Sequence, residues 1–155
     1  TGPTISPFNA WILLKGLETL EYRMNQHCNN ALKVAIYLSQ HPKIEKTIYP
    51  SLQNHSQYDL AKKQMKKGGS IVTFNIKNDN AFKFMNNLNL FDISNNLGDT
   101  KSLVTHPAST THRIIGEKGR KKLNISDSMI RLSIGLEDVE DILEDIEYSL
   151  SKILI

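Results

Sequence analysis

One arginine stands apart among the residues able to do chemistry. Arg131 lies in Ser128-Met129-Ile130-Arg131-Leu132-Ser133-Ile134-Gly135-Leu136, a β-branched and apolar stretch that follows the polar Asp127. On a period of two, Ile130, Leu132, Ile134 and Leu136 share one face, and Met129, Arg131, Ser133 and Gly135 share the other. The first face is core. The second holds a single guanidinium among small and apolar neighbours. Such a group either lies on a solvated sheet surface or holds a planar anion through its forked donors. Pattern alone favours the solvated surface.

The other reactive residue types carry less. His106 and His112 bracket Ser109, Thr110 and Thr111 on one loop, and His27 adjoins Cys28 on a helical stripe. A metal site needs three or four converging ligands, and sequence neighbours on a helix point apart, so no metal is expected. A serine hydrolase would need a Gly-x-Ser-x-Gly elbow, and a nucleotide site a P-loop or Gly-x-Gly-x-x-Gly; none occurs here. The histidine loop is expected to be structural, with His106 and the threonines bonding backbone in a proline-containing turn.

The elements that must position Arg131 follow from spacing. Ser6-Pro7 is a helix start, with serine as N-cap and proline at the first helical position. Leu13, Leu17, Leu20, Met24, Cys28, Ala31, Ala35 and Leu38 then form one stripe, which predicts a single long helix to about residue 40. Gly16 is the expected place for a bend or a close approach. Strands are expected at 44–49, 70–76, 90–94, 102–105 and 128–136. Helices are expected at 58–67, from a cap at Asp79, and from near Glu137, and a turn or short helix at 116–122. The fold class is α+β: an antiparallel or mixed sheet of about four strands covered by helices, with a long N-terminal helix.

Composition narrows the class further. The chain has 155 residues, 39% hydrophobic and 23% charged, enough for one domain with a core. Its net charge of +3 is mild, and no aromatic residue is interleaved with the lysine runs at 62–67 and 118–122, so no nucleic-acid partner is expected. The longest apolar run, at 10–14, is too short to span a membrane. The single cysteine, Cys28, excludes an internal disulfide and points to a reducing, cytoplasmic compartment. Thr1-Gly2-Pro3-Thr4 shows no signal peptide and no initiator methionine, which points to a processed or partial sequence.

Several stretches together resemble the C-terminal domain of the Cys/Met-metabolism (transsulfuration) family of pyridoxal phosphate enzymes. They are Ser6-Pro7-Phe8-Asn9-Ala10-Trp11, Leu14-Lys15-Gly16-Leu17-Glu18-Thr19-Leu20, Tyr49-Pro50-Ser51-Leu52, Leu97-Gly98-Asp99, His106-Pro107-Ala108-Ser109 and Arg131-Leu132-Ser133-Ile134-Gly135-Leu136-Glu137-Asp138, in family order along the whole chain. Asn96 with Thr110-Thr111-His112 looks more like the O-succinylhomoserine sulfhydrylases than the cystathionine γ-synthases, cystathionine lyases or methionine γ-lyases. The resemblance implies a fold-type I architecture in which Arg131 binds the substrate α-carboxylate and Asn96 supports it. It implies pyridoxal phosphate as cofactor, bound mainly by a large domain that precedes this one. The lysine that carries the cofactor is expected in that domain, and no catalytic residue is assigned to this chain.

Residues 1–40 would then be an inter-domain segment with the long helix, and 41–155 the C-terminal substrate-side domain. The expected reaction converts an acylated homoserine and sulfide to homocysteine for methionine biosynthesis, in a homotetramer. By itself the chain is expected to be inactive. The alternative from another class is an inactive fragment, or one half of a split enzyme that needs its partner polypeptide.

Overall fold

The computed structural model describes residues 3–153. Helix α1 (Pro7–Glu18) begins as its residues predict, with Ser6 Oγ accepting from the Asn9 amide at 3.2 Å. It does not continue to residue 40. Thr19 leaves helical geometry (φ −108°, ψ 6°), and α2 (Leu20–Gln40) starts afresh. The expected single helix is therefore two, and the break falls at Thr19 rather than at Gly16. Arg23 bridges it: Nε donates to Thr19 Oγ1 at 3.3 Å, and Nη2 donates to the Gly16 carbonyl.

The sheet has five strands: β1 (Ile44–Ile48), β2 (Ile71–Ile76), β3 (Asp92–Ile93), β4 (Leu103–Thr105) and β5 (Met129–Ser133). Their order is β1-β2-β5-β4-β3, antiparallel except for the β3–β4 pair. Each falls within one of the five stretches expected as strands, and β3 is a two-residue edge strand, exposed at both positions. The last strand in sequence is central in space. Arg131 therefore sits mid-sheet, with Thr73 of β2 and Thr105 of β4 as its two Cα partners.

Three helices form the second layer. α2 packs on β1 and β2, α4 (Ala81–Asn87) packs on α6 (Val139–Ser151), and α2 packs on α6. They cover the face of Val72, Phe74, Ile76, Ile130, Leu132 and Ile134, each at most 1% exposed. Each such side chain contributes about 1.5–3 kcal/mol by leaving water. The opposite sheet face carries Thr73, Thr105, Arg131 and Ser133, and loops rather than helices lie over it.

Smaller departures have local causes. α3 (Tyr58–Gln64) ends short of residue 67, because Met65 is already extended. The N-cap of α4 is Asn80 rather than Asp79, whose side chain lies outside the described residues. α5 (Gly116–Lys122) is the expected short helix. α6 begins at Val139, with Asp138 Oδ1 accepting from the Glu140 amide at 2.9 Å. Glu137 is withheld from the helix because its carboxylate binds the amide and hydroxyl of Ser102.

α1 buries none of its residues in this chain. Phe8, Trp11, Ile12, Leu13, Leu14 and Leu17 are all exposed, and they point to every side of the helix. A helix apolar all round is stable in water only when enclosed. The 155-residue chain expressed alone is expected to self-associate, and Trp11→Lys with Leu14→Lys is expected to reduce that. Sedimentation velocity across a concentration series would test this; a monomer at all concentrations for the unmodified chain would refute it.

Candidate functional site: an unpaired arginine beneath a clamped loop

Arg131 is half-buried, and the loop that follows β3 lies over it. Its Nη2 donates to the Asn95 carbonyl at 3.0 Å, and the Asn96 carbonyl lies 3.5 Å away. Its Nε is buried and, among the described residues, has no hydrogen-bond partner. Burial pushes the guanidinium pKa down from its ordinary value, and no carboxylate among the described residues holds it up. A part-buried cation without a counter-charge is costly, and an unbonded buried donor adds to that cost. A guanidinium without a carboxylate partner has the chemistry to take a planar anion, since carboxylate oxygens match its N–H groups in spacing.

The overlying loop is fixed at several points. The Ser94 amide donates to the Val104 carbonyl at 3.0 Å. Thr105 Oγ1 donates to Asn95 Oδ1 at 2.9 Å, and the Gly98 amide donates to Ser133 Oγ at 2.9 Å. Gly98 sits at φ +77°, a left-handed conformation suited to glycine. Ser133, two residues beyond Arg131 on the same face, thus ties the loop to the arginine's own strand.

The far end of β5 is held from both sides. Leu136 N donates to the Thr100 carbonyl at 2.8 Å, and Gly135 N donates to Ser102 Oγ at 2.9 Å. From α2, the buried His27 places Nδ1 2.7 Å from the Ile134 carbonyl, and Asn30 Nδ2 donates to the carbonyls of Gly135 and Glu137. Backbone carbonyls accept, so His27 Nδ1 carries the proton of this bond.

Of the two residues singled out as substrate-binding, Arg131 and Asn96, the structure brings only the main chain of the second near the first. Asn96 is exposed, and its Oδ1 accepts from the Leu97 amide at 2.9 Å. The side chain is used within its own turn, as asparagine often is. Its neighbour Asn95 makes the closer contact, through a carbonyl that any residue would have; only the Thr105–Asn95 side-chain bond is residue-specific, and it needs the fold to become visible.

The histidine loop is structural in the expected way. His106 is 3% exposed, with Nδ1 2.8 Å from Ser109 Oγ and Nε2 2.7 Å from the Asp127 carbonyl. Thr110 Oγ1 donates to the His106 carbonyl at 2.7 Å. Among the described residues no three or more His, Cys, Asp or Glu side chains gather as a metal site, and no helix is long and apolar enough to cross a membrane. The end of α6 is held in the same way by local contacts: Ser149 Oγ is buried on the Phe84 carbonyl, and Lys152 lies over the Tyr148 ring at 4.6 Å.

The domain is a two-layer α+β fold whose second sheet face carries one half-buried guanidinium among threonines, a serine and a few apolar residues. The chain belongs to the family described as Cys/Met metabolism PLP-dependent enzyme, matched over residues 1–151. It is 51% identical to the O-succinylhomoserine sulfhydrylase of Mycobacterium tuberculosis over 97% of this chain and 39% of that protein. It is 48% identical to the O-acetyl-L-homoserine sulfhydrylase of Leptospira meyeri (98% and 35%), and 43% to the L-methionine γ-lyase of Fusobacterium nucleatum (99% and 39%). The chain thus spans less than half the length of these relatives.

Solved structures agree on the fold. Cystathionine γ-lyase from Lactobacillus plantarum, complexed with L-serine, superposes with a TM-score of 0.91 at 35% identity, over 96% of this chain and 39% of that one. A Campylobacter jejuni structure described as an O-acetylhomoserine (thiol)-lyase, with N′-pyridoxyl-lysine-5′-monophosphate, gives 0.92 at 40% identity, over 97% and 37%.

Proposed function

We propose that this chain is the substrate-side, C-terminal domain of a pyridoxal phosphate-dependent sulfhydrylase. Its enzyme would take an acylated homoserine and sulfide to homocysteine and release the acyl group as a carboxylate. Arg131 would hold the α-carboxylate of the amino acid. The observation that carries this reading is the half-buried Arg131 guanidinium in mid-sheet, whose hydrogen bonds among the described residues go to main-chain carbonyls.

The cofactor, when bound, supplies the electron sink for chemistry at the substrate's α- and β-carbons. This chain's part is positional. Arg131 binds one end of the substrate, and Asn95 and Asn96 keep the guanidinium aimed through their carbonyls. Fixing the carboxylate fixes the α-carbon, and accurate placement can lower a barrier by several kcal/mol. Residues 1–40 would connect to the cofactor-bearing domain, with the exposed α1 enclosed by it and by further copies in a homo-oligomer. The enzyme would work in a reducing compartment, the cytoplasm, where Cys28 stays a thiol.

Sulfhydrylase relatives at 51% and 48% identity favour γ-replacement over the γ-lyase activity named for relatives at 43%. The test is an assay of the full-length enzyme that contains this domain, loaded with pyridoxal phosphate. O-succinyl-L-homoserine or O-acetyl-L-homoserine with sulfide is expected to yield homocysteine. Release of methanethiol from methionine, with no homocysteine from either ester, would assign a lyase instead.

A further inference from the structure

We propose that Thr105 is a positioning residue for Arg131: its hydroxyl holds Asn95 so that the Asn95 carbonyl aims the guanidinium. This rests on the reading of Arg131 as the carboxylate anchor.

Thr105 is the last residue of β4 and the Cα partner of Arg131 in the register. It is 2% exposed, so its hydroxyl must find its bonds inside the protein. Its Oγ1 touches two groups: Asn95 Oδ1 at 2.9 Å and Thr110 Oγ1 at 3.2 Å. Thr110 spends its one proton on the His106 carbonyl at 2.7 Å. The single Thr105 proton then goes to the nearer acceptor, Asn95 Oδ1, and the 3.2 Å approach to Thr110 Oγ1 is a packing contact without a proton of its own. Asn95 in turn presents its carbonyl to Arg131 Nη2 at 3.0 Å. The path runs from the Thr105 hydroxyl, through Asn95, to the guanidinium.

The alternatives for aiming Arg131 are weaker. The Asn96 side chain is turned to its own loop, and its carbonyl is 3.5 Å from Nη2. Ser133 holds Gly98, beyond the residues that touch the arginine. Asn95 is exposed, and among the described residues its side chain is tethered by Thr105 alone. Removing the Thr105 hydroxyl would release the Asn95 side chain and leave its peptide held by the Asn96 amide on Ser94 Oγ at 3.2 Å, so that the Asn95 carbonyl shifts, and Nη2 with it. The effect belongs mainly on substrate binding, because the hydroxyl acts two contacts away from the substrate and weakens the anchor without removing it.

The test uses the full-length, cofactor-loaded enzyme and its apo crystal form. Thr105→Val keeps shape and removes the hydroxyl; Thr105→Ser keeps the hydroxyl. Thr105→Val is expected to raise KM for the acylated homoserine about tenfold with kcat little changed, as for loss of one hydrogen bond that supports a charged contact. Thr105→Ser is expected to restore KM. The apo Thr105→Val crystal is expected to show Nη2 parted from the Asn95 carbonyl. If that bond persists there, or if Val and Ser raise KM equally, the inference is wrong. Normal KM in Thr105→Val beside a raised KM in Arg131→Lys would also refute it. Normal KM in both variants would instead remove the carboxylate-anchor reading beneath it.

Discussion

Replacing Arg131 by lysine in the full-length, cofactor-loaded enzyme is expected to raise KM for the acylated homoserine about 100-fold, with a smaller fall in kcat. The substitution keeps the positive charge. It removes the fork, and with it the buried Nε that has no other partner. Charge-assisted hydrogen bonds contribute about 1.5–3 kcal/mol each, and about 2.7 kcal/mol corresponds to a hundredfold in affinity. A lysine ammonium could still reach the Asn95 carbonyl, but as a point charge without planar geometry. Loss of ground-state anchoring appears mainly in KM; misplacement of the α-carbon adds the smaller loss in kcat. Steady-state kinetics across a substrate range separate the two. A KM within twofold of the unmodified enzyme would return Arg131 to an ordinary sheet-surface role.

That role was what periodicity favoured, and the reason is instructive. The β5 pattern correctly put Ile130, Leu132 and Ile134 in the core and Arg131 on the opposite face. It could not show that β5 would be the central strand, between β2 and β4. A sheet-face arginine on an edge strand meets water. In mid-sheet, beneath the loop after β3, it meets two threonines and a loop carbonyl. Strand order is set by long-range pairing, which local spacing does not encode.

The helical readings divide in the same way. Ser6 and Pro7 act locally, so the start of α1 was legible. The end of α1 was not, because its break is held by Arg23 reaching back to Thr19 and Gly16. The apolar stripe kept its spacing across the break and concealed it. Asn96 was legible as a loop asparagine near the arginine; its side chain's return to Leu97 was not. The Asn95 contact had no signal, since a main-chain acceptor is common to every residue type.

Gly135→Ala is expected to destabilise the domain by about 2–4 kcal/mol and to weaken substrate binding in whatever remains folded. Gly135 shows no unusual φ, so the constraint is space rather than backbone conformation. A Cβ there would lie 2.5 Å from the Thr100 carbonyl oxygen and 2.6 Å from the Lys101 carbonyl carbon, and would also strike Glu137 Oε2. The first two are backbone atoms and cannot rotate aside. Relief requires the chain at 100–101 to move away, which strains Leu136 N to the Thr100 carbonyl and Gly135 N to Ser102 Oγ. The same segment carries Asn95 and Gly98, so displacement would pass to the carbonyl that holds Arg131. A thermal midpoint lowered by about 5–10 °C, together with a raised KM, is the expected pair of results. Adding Glu137→Ala should not rescue it, because the clash with the Thr100 carbonyl persists and the carboxylate bonds to Ser102 are lost as well. Rescue by that second substitution would locate the constraint in the Glu137 side chain instead of the loop backbone.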